Sequence, residues 1–190
     1  MIKIAHRINT ISQLKSVSKE YGIEVDVRYR DKDLILHHDP FVDGENFDEF
    51  LKNFNHRLII LNIKTEGIED AVINLLKKYD IKNYFFLDLS LPFLIKYAKK
   101  GEKNIAVRFS EYEPLEFILK FKGLVDWVWV DCFNNLPLDD NNYKILKNDF
   151  KICLVSPELQ GYPVERIREF KTILKNKPVD AVCTKAPELW

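Results

Sequence analysis

The sequence predicts a compact (β/α)8 TIM barrel, and three observations carry that reading. Eight short apolar runs rich in Ile, Val, Phe and Trp recur along the 190 residues. Amphipathic stretches separate most of them, and strands alternating with helices pair in parallel. In most of the runs the polar residues come late, at the strand end where barrel enzymes build their active sites.

The apolar runs lie at 2–6, 23–28, 58–64, 84–90, 105–110, 127–133, 152–158 and 181–187. Helical patterns occupy 11–21, 68–79, 91–100, 114–122 and 164–175. The segment LILHH (34–38) reads as a short extra strand or loop inside the second unit, and FVDGENFDEF (41–50) runs straight into a helix. Such barrels usually run to about 250 residues, so a chain this short needs very short loops. A doubly wound open sheet is the competing architecture, but no GxGxxG follows a strand, so a dinucleotide site has no support. With no linker and no low-complexity tract, residues 1–190 read as one domain.

Composition narrows the function. Hydrophobic residues make up 46% and aromatics 13%, ample for a packed core. Lys+Arg and Asp+Glu both total 29, so nothing resembles a basic nucleic-acid footprint. No apolar run approaches the roughly 20 residues that span a bilayer. The start, MIKIAHRINT, turns polar at once, unlike a signal peptide. The expected setting is cytoplasmic, with a small-molecule substrate. Cys132, Cys153 and Cys183 fall inside apolar runs without CxxC spacing and read as buried thiols. WVWVDCF (127–133) reads as core, and the terminal PELW as a plug for the barrel mouth or for a dimer seam.

The polar strand ends are His6; Glu24, Asp26 and Arg28; Asn62 and Lys64; Asp88 and Ser90; Arg108; Asp131; Ser156 and Glu158; and Lys185. Residues two apart on a strand share a face, so Glu24 and Asp26 aim at the same space. Two close carboxylates repel unless a cation separates them, and a hard divalent ion prefers such oxygens. Arg28, next on that face, is a second way to compensate the charge. An ordinary solvent-facing strand gives the same alternation. His6 and His37–His38 add groups that titrate near neutral pH and can act as general acid or base.

The stretches AHR (5–7), IEVDVR (23–28) and LILHHDP (34–40) together resemble the glycerophosphodiester phosphodiesterase family, one of the phosphatidylinositol-specific phospholipase C-like barrels. LNIK (61–64) is similar to that family's third strand, AVCTKAPE (181–188) to its last, and Asn9–Thr10 to part of a Glu-Asn-Thr stretch. The resemblance implies a phosphoric diester hydrolase for a glycerophosphodiester or a related sugar or polyol phosphodiester. It implies His6 and His38 as the acid–base pair, and Glu24, Asp26 and Asn62 as ligands of Mg²⁺ or Ca²⁺. Arg7 and Lys64 would hold phosphate oxygens, with Arg28, Arg108 and Lys185 as further cations for the phosphate. His37 has no counterpart in the motif, and His56 falls at the opposite barrel end.

Four departures from the family pattern bear on the chemistry. Asn62 stands where the family has a carboxylate ligand, so metal affinity is expected to fall unless Asp88 or Asp131, both placed to reach the mouth, compensates. Ile8 replaces a glycine, and Lys185 replaces an aspartate and adds a cation. The loop after His38-Asp39-Pro40 is short, leaving the mouth open. Arg28 matches the position at which an arginine replaces the metal in bacterial phosphatidylinositol-specific phospholipases C. A metal-free transferase yielding a cyclic phosphate is therefore one alternative, and a non-catalytic anion-binding barrel is the other.

Overall fold

The computed structural model describes residues 1–190. In chain order the elements are β1 (Ile2–Ala5), α1 (Ile11–Ser16), β2 (Gly22–Arg30), β3 (Asp33–Leu36), β4 (Glu45–Asn46), α2 (Phe47–Lys52), β5 (Ile59–Ile63), α3 (Glu69–Lys78) and β6 (Tyr84–Leu87). They continue with α4 (Leu91–Lys99), β7 (Ala106–Phe109), α5 (Leu115–Leu119), β8 (Trp127–Val130), α6 (Asp140–Asp149), β9 (Lys151–Val155), α7 (Arg166–Ile173) and β10 (Ala181–Thr184). All eight apolar runs contain a strand.

These eight strands are parallel and follow one another in chain order, with β10 pairing back onto β1. Regular ladders join every neighbouring pair except β6 and β7. There a single bridge, Phe86 to Ile105, spans the seam. The sheet therefore curls on itself as the barrel reading requires, while closure at that seam rests on one contact and not on a ladder. LILHH supplies an antiparallel hairpin partner for β2, and β4 extends it by one further short strand.

Alternation along each strand separates two cores. Ile23, Val25 and Val27 face outward into a layer shared with the helices. Ile4, Ile60, Phe85, Trp127 and Trp129 fill the interior. Phe85 stacks on Trp127 at 4.6 Å between ring centroids, so the aromatics of WVWVDCF are core. Gly22 fixes the facing of β2. A Cβ there would meet Ile4 Cγ1 at 3.0 Å and the Leu58 carbonyl oxygen at 3.1 Å, both lining the interior. Glu24 and Asp26, two and four residues on, share that inward face.

Several ends differ from expectation. The run 84–90 stops as a strand at Leu87, because Asp88 adopts φ 58°. The run 152–158 stops at Val155, because Pro157 opens a 3-10 turn. Helix α1 ends at Ser16, five residues before the pattern does. Helix α6 was not anticipated, since DNNYKILKND is dominated by polar residues; Asp139 caps it by accepting from the Asn142 amide. In the terminal PELW, Leu189 is exposed and Trp190 is not. It is buried in the outer layer, and its Nε1 donates to Ser156 Oγ at 2.8 Å. No helix is long and apolar enough to cross a membrane.

Candidate active site

Strands β1, β2 and β5 deliver their polar ends to one side of the mouth. His6 follows β1 with its side chain 17% exposed, and its Nε2 lies 3.8 Å from Glu24 Oε2. Arg7 takes φ 58°, a costly left-handed conformation for a residue with a side chain. That twist lets the Arg7 amide donate to Glu24 Oε2 at 2.7 Å, while its Nε lies 3.7 Å from Asp26 Oδ2. The left-handed residue is Arg7, whereas Ile8 has no positive φ, so the missing family glycine strains nothing.

Glu24 and Asp26 are each 1% exposed. The amide of Asn62 donates to Glu24 Oε1 at 3.0 Å. Burial, then the neighbouring Asp26 charge, pushes the Glu24 carboxyl up to about 7. Asp26 is gripped at two points by Asn9: its own amide donates to Asn9 Oδ1, and Asn9 Nδ2 donates to Asp26 Oδ2, both at 2.9 Å. Thr10 caps α1 in a capping box with Gln13, so the Asn9–Thr10 pair has structural duties on both sides. Lys64 Nζ lies 3.6 Å from Asp26 Oδ1.

On this side of the mouth three buried atoms have no hydrogen-bond partner, His6 Nδ1, Asp26 Oδ1 and Asn62 Oδ1; Ser90 Oγ, after β6, is a further buried atom without one. Buried polar atoms are almost always satisfied, so such orphans mark where water, an ion or a ligand belongs. Asp26 and Asn62 are register partners on neighbouring strands. Two oxygen acceptors without donors suit a hard cation. No group of three or more His, Cys, Asp or Glu side chains that could hold a metal occurs. The third oxygen is the neutral Asn62 amide, so the set fits Mg²⁺ or Ca²⁺ with less charge than three carboxylates bring.

The two candidate histidines differ in environment. Burial first, then the Arg7 cation, holds His6 down to about 4, so it is neutral near pH 7. His38 is half-exposed after β3, and its Nδ1 lies 2.8 Å from Asp39 Oδ1. That contact places the proton on Nδ1 and leaves Nε2 free. His37 ties back to its own loop, its Nδ1 accepting from the Asp39 amide at 3.0 Å. His56 lies before β5, at the other barrel end, with its Nε2 3.1 Å from the Val17 carbonyl.

The other side of the mouth is organised differently. Arg108 donates to both Asp88 and Asp131, and Gln160 donates to the second oxygen of Asp131. Glu158 accepts from Ser156, from Thr184 Oγ1 at 2.5 Å and from the Lys185 amide at 3.0 Å. Arg108, expected as a phosphate cation, is thus paired with two carboxylates. Asp88 and Asp131 are taken by cations and do not replace the charge missing at Asn62; Asp88 also lies 3.6 Å from Lys64 Nζ. The Arg28 guanidinium, expected as a phosphate cation or a stand-in for the metal, donates instead to the His37, His38 and Lys64 carbonyls. Lys185 keeps its ammonium free and close enough to act on the His6 titration. The sequence places Asn9 and Asp39 within the family motifs without giving either a role, and the carbonyl contacts of Arg28 leave no signal in it.

No protein-family profile matches the chain, and no curated protein matches its sequence. Solved structures do. A glycerophosphodiester phosphodiesterase from Thermotoga maritima superposes with TM-score 0.70 at 20% identity, covering 100% of this chain and 96% of the other. One from Agrobacterium tumefaciens gives TM-score 0.70 at 11% identity, covering 100% and 99%. The chain has the fold of these phosphodiesterases. A tryptophan synthase α-subunit from Pyrococcus furiosus matches at TM-score 0.56 and 16% identity, covering 98% and 88%. The likeness is thus stronger to the phosphodiesterases than to this other α/β protein, and at these identities it is a likeness of fold.

Proposed function

We propose that the protein is a phosphodiesterase that hydrolyses a glycerophosphodiester or a related polyol phosphodiester. One observation carries the reading. His6, Arg7, Glu24, Asp26, Asn62 and Lys64 converge at a single mouth that keeps three buried atoms unsatisfied. A polar rim that served stability alone would satisfy its own atoms.

The chemistry follows from the environments. Neutral His6 accepts the proton of the attacking water as its oxygen bonds to phosphorus. His38 supplies a proton to the alcohol oxygen as the phosphorus–oxygen bond breaks, with Asp39 holding the ring through its Nδ1. Arg7 and Lys64 offset the charge that builds on the phosphoryl oxygens, and Lys185 adds a further free cation at the His6 side. A divalent cation held by Glu24, Asp26 and Asn62 would supply Lewis-acid charge to the same oxygens. The metal-free alternative rested on Arg28, whose guanidinium is committed to carbonyls, so hydrolysis is the preferred reading.

The test is turnover of a panel of glycerophosphodiesters with Mg²⁺ or Ca²⁺, following alcohol and phosphomonoester together. Both products are expected from the wild type, and neither from His6→Ala or His38→Ala. Unchanged turnover in either variant defeats the acid–base assignment. No turnover on any substrate, with glycerol phosphate still raising the melting temperature, favours an anion-binding barrel.

A further inference from the structure

Arg28 sits two residues beyond Asp26 on β2, yet its partners are main-chain oxygens. Its Nε lies 3.1 Å from both the His37 and His38 carbonyls. Nη2 reaches the His38 carbonyl at 2.6 Å, and Nη1 reaches the Lys64 carbonyl at 3.3 Å. No other main-chain group donates to these three carbonyls. The fork therefore joins the loop after β3 to the end of β5, across β2, which lies between them.

Those two segments carry the proposed proton donor and a proposed phosphate cation. The loop has few other ties to the barrel. His37 donates its amide to the Asp26 carbonyl at 3.0 Å, and beyond it the chain reaches Pro40, which has no amide hydrogen to give. A planar guanidinium with five fixed donors can bridge carbonyls on two segments at once, whereas an ammonium is a point charge on a flexible stem. A displacement of about 1 Å of a reacting group can cost about a hundredfold in rate.

We propose that Arg28 is a positioning residue: it touches neither substrate nor metal, and it sets His38 and Lys64 at a fixed spacing through their carbonyls. The clamp stands on geometry alone, while its effect on rate rests on the phosphodiesterase reading.

The experiment compares wild type, Arg28→Ala and Arg28→Lys in two readouts. In turnover, kcat in R28A is expected to fall about a hundredfold, with KM changing less than kcat. Guanidinium ion restores part of that loss and methylammonium does not, while R28K behaves like R28A. Full activity in R28K, or a defect confined to KM, overturns the proposal, because charge at the phosphate would then be what matters. In amide hydrogen exchange, residues 38–39 and 64–66 are expected to exchange at least about tenfold faster in both variants while the core strands keep their protection. Unchanged exchange in those segments overturns the clamp whether or not turnover is found. If R28A does not fold, R28K carries both readouts. A wild type that hydrolyses nothing, with loosened segments in the variants, overturns the phosphodiesterase reading and leaves the clamp standing.

Discussion

The two sides of the mouth are built from the same residue types and do opposite things with them. On the β6–β10 side, Arg108 is matched by Asp88 and Asp131, Gln160 completes Asp131, and three donors reach Glu158. On the β1–β2–β5 side, two cations stand near one carboxylate at 3.6 and 3.7 Å, beyond hydrogen-bonding distance, and three buried atoms have no partner. A charged strand end is therefore no sign of function by itself. What separates the two sides is how far the polar groups satisfy one another, with Ser90 Oγ the exception after β6, because unsatisfied buried groups cost free energy that water, an ion or a ligand recovers.

The sharpest way to break this comparison is to remove the histidines. His6→Ala and His38→Ala are each expected to lower kcat by about a hundred- to ten-thousandfold while the melting temperature changes little. On the satisfied side the effect should move to stability. Arg108→Met leaves Asp131 buried without its cation and should cost about 3 kcal/mol in urea denaturation. Turnover per folded molecule in that variant should stay within about threefold of wild type. A stable R108M enzyme without activity would show that the two sides are not separate in function.

Smaller changes sharpen the picture. Asn62→Glu restores a third carboxylate and should tighten Ca²⁺ or Mg²⁺ at least about tenfold by calorimetry, because affinity follows ligand charge. Unaltered affinity would mean that Asn62 does not face the ion. Smallest of all, His37→Gln should leave kcat and KM within about twofold, since the ring serves only its own loop.

Much of this was legible in the sequence. Eight strands were visible because interior and outer faces are both apolar, giving near-continuous runs of Ile, Val, Phe and Trp. Period-two spacing placed Glu24 and Asp26 on one inward face, and His38 separated from His37 through the motif around it. Strand ends were less legible, since the left-handed turn at Asp88 leaves no mark that alternation can reveal. Helix α6 stayed hidden because residues such as Asn141, Asn142 and Asp149 blur its apolar stripe. Above all, the partners of Arg28 and Arg108 could not be read. A carbonyl looks the same at every residue, and Asp88 and Asp131 meet Arg108 only once neighbouring strands are in register.

The most direct test of the division between the two sides is crystallographic: a crystal soaked in glycerol phosphate with Ca²⁺. The account predicts a cation against Asp26 and Asn62, with phosphate oxygens near Arg7 and Lys64 and with His6 and His38 on either side. Phosphate density on Arg108, with Asp88 and Asp131 swung away and the Asp26 side left empty, would contradict it.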